Sequence, residues 1–321
     1  MKKLLAGCAA MLFAAAATAQ EYPSRTITVI VPFAAGGPTD TVTRLVAQSM
    51  TKTLGQTVIV ENTAGAGGTI GVEKVATAKP DGYTLLLMHI GISTAPSLYR
   101  NLRFDPTKDL EPIGLVTNVP MTVIANKDFP PKDMQGLIAY VKANKDKVTY
   151  ANAGVGAASH LCGMLLLSAM QTDVTTVPYK GTGPAMTDLI GGQVNFMCDQ
   201  TTNTTPQIKG GKVKAYAVTT KQRLKSLADV PTADEAGLKG FEVTVWHGMW
   251  APHNTPKAVI DKLTKALQAA LKDPGVVAKF ADLGTEPVPE NQATPAALGA
   301  HLKSEIAKWA PIIKKAGIYA D

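Results

Sequence analysis

The residues with the greatest chemical potential in this chain are glycines set between a strand and a helix, and the arrangement occurs twice. Val29-Ile30-Val31-Pro32-Phe33-Ala34-Ala35-Gly36-Gly37-Pro38-Thr39-Asp40 reads as a β-branched strand, a turn in which Gly36 and Gly37 let the backbone bend, and a helix start suited to Pro38 and Asp40. Tyr150 through His160 repeats the pattern with Gly154 and Gly156. The first N–H groups of a helix have no partner within it and sit at the positive end of its dipole, so each junction favours an anion. Two such loops facing each other across a cleft would close on a small carboxylate.

No reaction centre assembles from the remaining residues. Ser49-Met50-Thr51-Lys52 has the Ser-x-x-Lys spacing but falls mid-helix, with no Ser-Asp-Asn or Lys-Thr-Gly beside it, and Gly-x-Ser-x-Gly and His-Glu-x-x-His are absent from the sequence. The histidines at 89, 160, 247, 253 and 301 lack metal-ligand spacing. Gly65-x-Gly67 has Ile70 where a dinucleotide fingerprint needs its third glycine. The expectation is therefore no enzyme activity, no metal and no cofactor. Ser159 can cap its helix and also offer a hydroxyl to a ligand. Asp40, itself an anion, is expected to orient its loop. His89 and His160 fall at cleft-facing positions, whereas His247, between Trp246 and Trp250, reads as packing. Neither loop contains arginine, so a carboxylate would be held by backbone N–H and hydroxyl donors, with waters between.

The elements that position these loops alternate strand and helix. Strand 26–31, helix 39–54, strand 57–61, a Gly-rich turn at 64–71 leading into a helix, and strand 83–89 give βαβαβ order, hence a parallel sheet with loops at its carboxyl edge. An extended run at 119–125 precedes a second unit: helix 134–142, strand 148–150, helix 159–170, strand 175–179, helix 184–190, strand 194–198 and strand 215–219. A further extended run at 242–250 and helices at 257–271, 274–283 and 295–315 complete the chain. Two extended runs flanking the second unit imply a lobe inserted into another, with two crossover strands as the hinge. The expected fold is α/β, with two Rossmann-like lobes and a ligand cleft between them. The expected division is 20–122 plus 245–321 for lobe 1 and 123–244 for lobe 2.

Composition agrees with a small-ligand protein. The 321 residues carry a formal charge of +7, but the lysines are scattered and not interleaved with aromatics, which argues against nucleic acid. Lys2-Lys3, the apolar run after them and Ala17-Thr18-Ala19 read as a signal peptide over residues 1–19, so the periplasm is the expected location. A lipobox reading of Leu5-Ala6-Gly7-Cys8 is disfavoured because the hydrophobic stretch follows the cysteine. Of three cysteines, Cys162 and Cys198 remain after cleavage. An oxidising compartment permits one disulfide, against two buried thiols.

Tyr22-Pro23-Ser24-Arg25-Thr26-Ile27, Phe33 through Asp40, Lys79-Pro80-Asp81-Gly82-Tyr83-Thr84-Leu85, Ser159-His160-Leu161 and Val177-Pro178-Tyr179-Lys180-Gly181 together resemble the Bug family, the solute receptors of tripartite tricarboxylate transporters. The resemblance runs the length of the mature chain. It implies a type II periplasmic-binding-protein fold and delivery of a carboxylate to inner-membrane permease subunits. Carried onto this sequence, the clamp comprises Phe33, Ala35, Gly36, Gly37, Thr39 and Asp40 from the first loop and Gly154, Gly156, Ala157, Ala158 and Ser159 from the second. His89, Ser93, Tyr179, Gly181, Asp199 and Gln200 face it. Phe33, Tyr179 and Trp246 would allow an aromatic as well as a di- or tricarboxylate ligand. A monomer is expected. A periplasmic sensor feeding a two-component system would use the same fold and site, and a secreted hydrolase would need a nucleophile that this chain does not supply.

Overall fold

The computed structural model describes residues 22–320. The expected signal peptide over residues 1–19, with Cys8 in it, lies outside the described residues. Strand β1 (Ile27–Val31) has its last three residues buried and leads through the first glycine loop into helix α1 (Pro38–Leu54). Val42, Val46 and Met50 of α1 recur at helical spacing and are fully buried. Burying such side chains contributes about 1.5–3 kcal/mol each. Strand β2 (Val58–Asn62), helix α2 (Thr69–Ala76), strand β3 (Thr84–His89) and helix α3 (Gly91–Leu98) follow. β1 pairs in parallel with both β2 and β3, as the βαβαβ order requires. Helix α3 carries no legible start signal. Pro96 lies inside it, and the pattern over 91–98 resembles a loop in the sequence.

Strand β4 (Leu110–Asn126) runs for seventeen residues through both parts of the sheet, with register shifts between Pro112 and Gly114, Leu115 and Thr117, and Val123 and Ile124. The second unit is built from helix α4 (Met134–Ala143), strand β5 (Thr149–Asn152), helix α5 (Ala158–Ala169), strand β6 (Thr175–Pro178), helix α6 (Thr182–Ile190), strand β7 (Phe196–Gln200), helix α7 (Thr201–Lys209) and strand β8 (Val213–Val218). Strand β9 (Thr244–Pro252) returns to the first lobe, and helices α8 (Lys257–Lys272), α9 (Pro274–Asp282) and α10 (Pro295–Ala316) cover it. The strands run in the order β2-β1-β3-β9-β4-β7-β5-β6, with β8 also paired to β4.

β4 pairs antiparallel with β9 from Leu110 to Pro120, then with β7 and β8 from Met121 onward. Pro120 has no N–H to give, and it stands where the strand changes partners. Its neighbour Met121 donates its N–H to the Thr219 hydroxyl, which in turn donates to the Val243 carbonyl at 2.5 Å. One buried threonine thus ties together both passages of the chain between the lobes.

Candidate functional site

The first loop is organised by Asp40. One carboxylate oxygen accepts from the Gly36 N–H at 3.0 Å and from Arg44 Nε at 2.9 Å; the other accepts from Asn62 Nδ2 at 3.0 Å. Burial alone would raise its pKa. The Arg44, Gly36 and Asn62 donors outweigh that and hold the carboxyl below its ordinary value. Asp40 therefore fixes the turn from inside, and the Gly36 N–H is spent on it. Gly36 has φ +80°, a conformation other residues rarely adopt. Beyond the turn, Thr39 and Asp40 present N–H groups that have no acceptor within α1.

The second loop is built the same way. Asn152 Oδ1 accepts the Gly154 N–H at 2.8 Å, and the Ser159 hydroxyl accepts the Ala153 N–H at 2.9 Å. Ala157 occupies the N-cap of α5 and makes no side-chain cap, so Ser159 does not cap its own helix but pins the preceding loop. Ala158 and Ser159 follow it in the buried first turn. His160 Nδ1 accepts the Gly156 N–H, and its ring lines a separate cavity of about 220 Å³ that also includes Ile318.

The two loops are not opposed directly. The first packs on Lys180 through Gly183: Ala34 N–H donates to the Lys180 carbonyl at 2.9 Å, and a Cβ on Gly183 would lie 2.7 Å from the Ala35 carbonyl oxygen. The second loop packs on residues 65–68 and on α3. Tyr99 Oη donates to the Val155 carbonyl at 2.8 Å and Thr94 Oγ1 lies 3.3 Å from the Gly156 carbonyl. At Gly67 the approach is so close that a Cβ would fall 1.9 Å from the Val155 oxygen. Phe33, Gly67, Tyr99, Gly154, Tyr179 and Ala320 are among the residues around a shared cavity of about 320 Å³ between these contacts. The glycine turn at 65–68, Tyr99 and Thr94 were not expected at the site. The run of glycines at 65, 67 and 68 was the available signal.

The flanking residues divide by what their polar atoms already do. Phe33 stacks on His89 with ring centroids 4.7 Å apart. His89 Nδ1 accepts the Gly91 N–H at 3.0 Å, and burial lowers the imidazole to about 4, so the ring is neutral with its proton on Nε2. His247 is fully buried, 3.3 Å from the Thr39 hydroxyl, which fits the packing reading. Trp246 is buried in the first lobe and donates to Glu305, so it offers no ring to the shared cavity. The Ser93 hydroxyl donates to the Ile90 carbonyl at 2.6 Å, and Tyr179 Oη to Asp188 at 2.7 Å. Gly181 adopts φ +153° against Ala34. Asp199 and Gln200 are buried at the end of β7, where Asn203 Nδ2 donates to Asp199 Oδ2 at 2.6 Å. Burial pushes this carboxyl up to about 6 despite that amide. Cys198, next to Asp199, is bonded to Cys162 of α5.

Among the described residues no group of three or more His, Cys, Asp or Glu is placed to hold a metal ion, and no helix is long and apolar enough to cross a membrane. The sequence profile of the tripartite tricarboxylate transporter family receptor matches residues 42–318. The chain belongs to that TctC receptor family. A UPF0065 protein of Agrobacterium vitis, from an intergenic region, is 57% identical over 92% of this chain and 86% of its own length. Among solved TctC-like structures, the periplasmic binding protein BugD is 58% identical with a TM-score of 0.91, covering 94% of this chain and 100% of its own. MatC of Rhodopseudomonas palustris, solved with bound malate, is 43% identical with a TM-score of 0.88, covering 91% and 100%. The TctC chain thus has the two-lobed α/β fold of periplasmic binding proteins, and its family is one of solute receptors.

Proposed function

We propose that this receptor binds a small carboxylate in the interlobe cleft, in the periplasm, and hands it as a monomer to the permease subunits of its transporter. The lobe division that supports this reading is 20–122 plus 245–321 against 123–244, with Pro120, Met121 and Thr219 at the passage between lobes. The carrying observation is the pair of glycine junctions, each stiffened from within by a buried side chain (Asp40 or Ser159), at the N-termini of the long helices α1 and α5. The remaining N–H groups of Thr39, Ala158 and Ser159 and the His89 Nε2–H are the donors that a carboxylate would use. Phe33, Ala35, Gly37, Gly154, Gly156 and Ala157 shape the clamp around it.

MatC was solved with malate, a small dicarboxylate, which supports small carboxylates as the ligands to try here. A thermal-shift screen of the purified mature protein over mono-, di-, tri- and aromatic carboxylates tests the proposal. A ligand at a hundred times its Kd should add about 2.7 kcal/mol of stability. If no carboxylate moves the melting point and none copurifies, the reading fails.

A further inference from the structure

Past helix α10 the chain does not stay with the first lobe. Gly317 caps α10 at φ +64° and turns the backbone out of the helix. Of the three residues that follow, Ile318 and Ala320 are half-buried and Tyr319 between them is 47% exposed, the period of an extended segment with one face inward. Ile318 lies against the second lobe. It lines the cavity of about 220 Å³ whose other walls include Tyr150, His160, Gly163 and Leu167 of β5 and α5. Ala320 returns to the first lobe, where its N–H donates to the Leu98 carbonyl at 2.8 Å and it forms a parallel bridge with Tyr99. The Arg100 guanidinium stands 4.8 Å over the Tyr319 ring and holds the outer face of the segment to the end of α3.

Two features connect this crossing to the ligand. Ala320 lines the shared cavity of about 320 Å³ with Phe33, Gly67, Tyr99, Gly154 and Tyr179, so the segment forms one of its walls. It also backs Tyr99, whose hydroxyl reaches the Val155 carbonyl of the second glycine loop at 2.8 Å. The attachments of 318–320 are thus divided between lobes that separate when the cleft opens. Ile318 and Ala320 are two residues apart and span at most about 7 Å of extended chain, so there is little slack to follow a parting lobe. Opening breaks one attachment or the other. Contacts made only when the lobes meet favour the closed state and slow its opening.

We propose that residues 318–320 are a strap that spans the closed lobes, walls the ligand cavity and sets how long a bound carboxylate stays. The inference rests on the receptor reading above, but not on which carboxylate is bound. The strap acts on departure. Ligand enters while the lobes are apart and the strap is unfastened, so the association rate is nearly independent of it, whereas release requires Ile318 or Ala320 to let go first.

The test is stopped-flow kinetics, read by tryptophan fluorescence, on the mature protein and on a version ending at Gly317, with malate, succinate, aspartate and citrate as probes. The expected result, for each probe that binds, is dissociation at least tenfold faster without the strap and association within threefold of wild type. Ala320→Pro keeps the length but removes the N–H given to Leu98, and should speed dissociation at least threefold. A truncated protein whose dissociation rate stays within threefold of wild type overturns the strap and leaves the carboxylate receptor standing; a lower melting temperature without ligand would then mark the segment as structural only. Should the truncated protein fail to fold by circular dichroism, Ala320→Pro decides, and dissociation within twofold of wild type overturns the proposal. If none of the four probes binds the wild type, and every other carboxylate of the screen is silent too, the receptor reading and the strap fall together.

Discussion

Ala34 and Lys180 are joined by a main-chain hydrogen bond of 2.9 Å across the cleft, one residue from each lobe. No side chain contributes to it, so the fit between lobes here is a property of backbone shape. Gly67 against Val155 is likewise a close backbone approach, with the Tyr99 hydroxyl donating to the same Val155 carbonyl, and such fits make the closed arrangement sensitive to single methyl groups.

Gly67→Ala is the direct probe. The added Cβ would meet the Val155 carbonyl oxygen at 1.9 Å, and Gly67 also has φ +60°. The clash exists only when the lobes meet. The expected outcome is a near-native circular dichroism spectrum with ligand affinity reduced a hundredfold or more, and a scattering profile that no longer compacts on adding ligand. Unchanged affinity would show that closure at this point is not needed for binding.

Thr219→Val tests the tie between the two passages. It removes the acceptor for the buried Met121 N–H and the donor to the Val243 carbonyl. Leaving buried main-chain groups unpaired costs about 1–3 kcal/mol each. Chemical denaturation should show a loss of roughly 2–4 kcal/mol, while Thr219→Ser, which keeps the hydroxyl, should recover most of it.

Acid should weaken the fold through its buried histidines. Burial lowers His89 to about 4 from an ordinary 6.5, and burial followed by the neighbouring His89 lowers His247. Between those values the unfolded chain takes up a proton that the native protein refuses. Stability is therefore complete above about pH 6.5 and falls as pH drops toward 4. At pH 5 His89 alone costs roughly 2 kcal/mol. Asp199 works the other way, because its carboxyl is raised to about 6, and returns roughly 1 kcal/mol at the same pH. The melting temperature of the unliganded protein should fall between pH 7.5 and 5, and His89→Gln should flatten the slope. A wild-type melting temperature flat over that range would contradict this account.

The Cys162–Cys198 bond closes a loop with a sequence separation of 36. Chain entropy assigns such a crosslink roughly 4 kcal/mol. The Cys162→Ser/Cys198→Ser double variant should lose stability of that order in urea titration.

Most of the architecture could be read from periodicity. Val42, Val46 and Met50 marked α1, and the alternation of strands with helices gave the parallel core of each lobe. The bridge could be placed only as an open alternative, because nothing in spacing distinguishes a buried pair from two thiols. Helix α3 was missed because Pro96 and Gly91 are breakers in a local reading, and it forms because Ile92, Ala95 and Leu98 are buried in the tertiary core. At the site, Asp40 could be assigned its loop-organising role from its charge alone. The role of Ser159 could not, because the Ala153 N–H it accepts is brought to it by the loop's curvature. The opposition of the first glycine loop to residues 180–183, and not to the second loop, depends on how two lobes meet, which no local pattern records. Trp246 was misjudged for the same reason. An aromatic on an extended run can face core or cleft, and Glu305, fifty-nine residues away, holds it in the core.

β4 has one further consequence. Because the passage is a strand rather than a loop, opening is expected as twist along a torsion bar, yielding first where the ladder shifts register, between Leu115 and Thr117 and between Val123 and Ile124. The stiffness of that bar sets how often the empty receptor is closed. Apparent affinity scales with the fraction of molecules in the competent state. Substitutions on the β4–β9 ladder that never meet the ligand should therefore tune how tightly it is held, which gives selection a dial for affinity separate from the residues that choose what is bound.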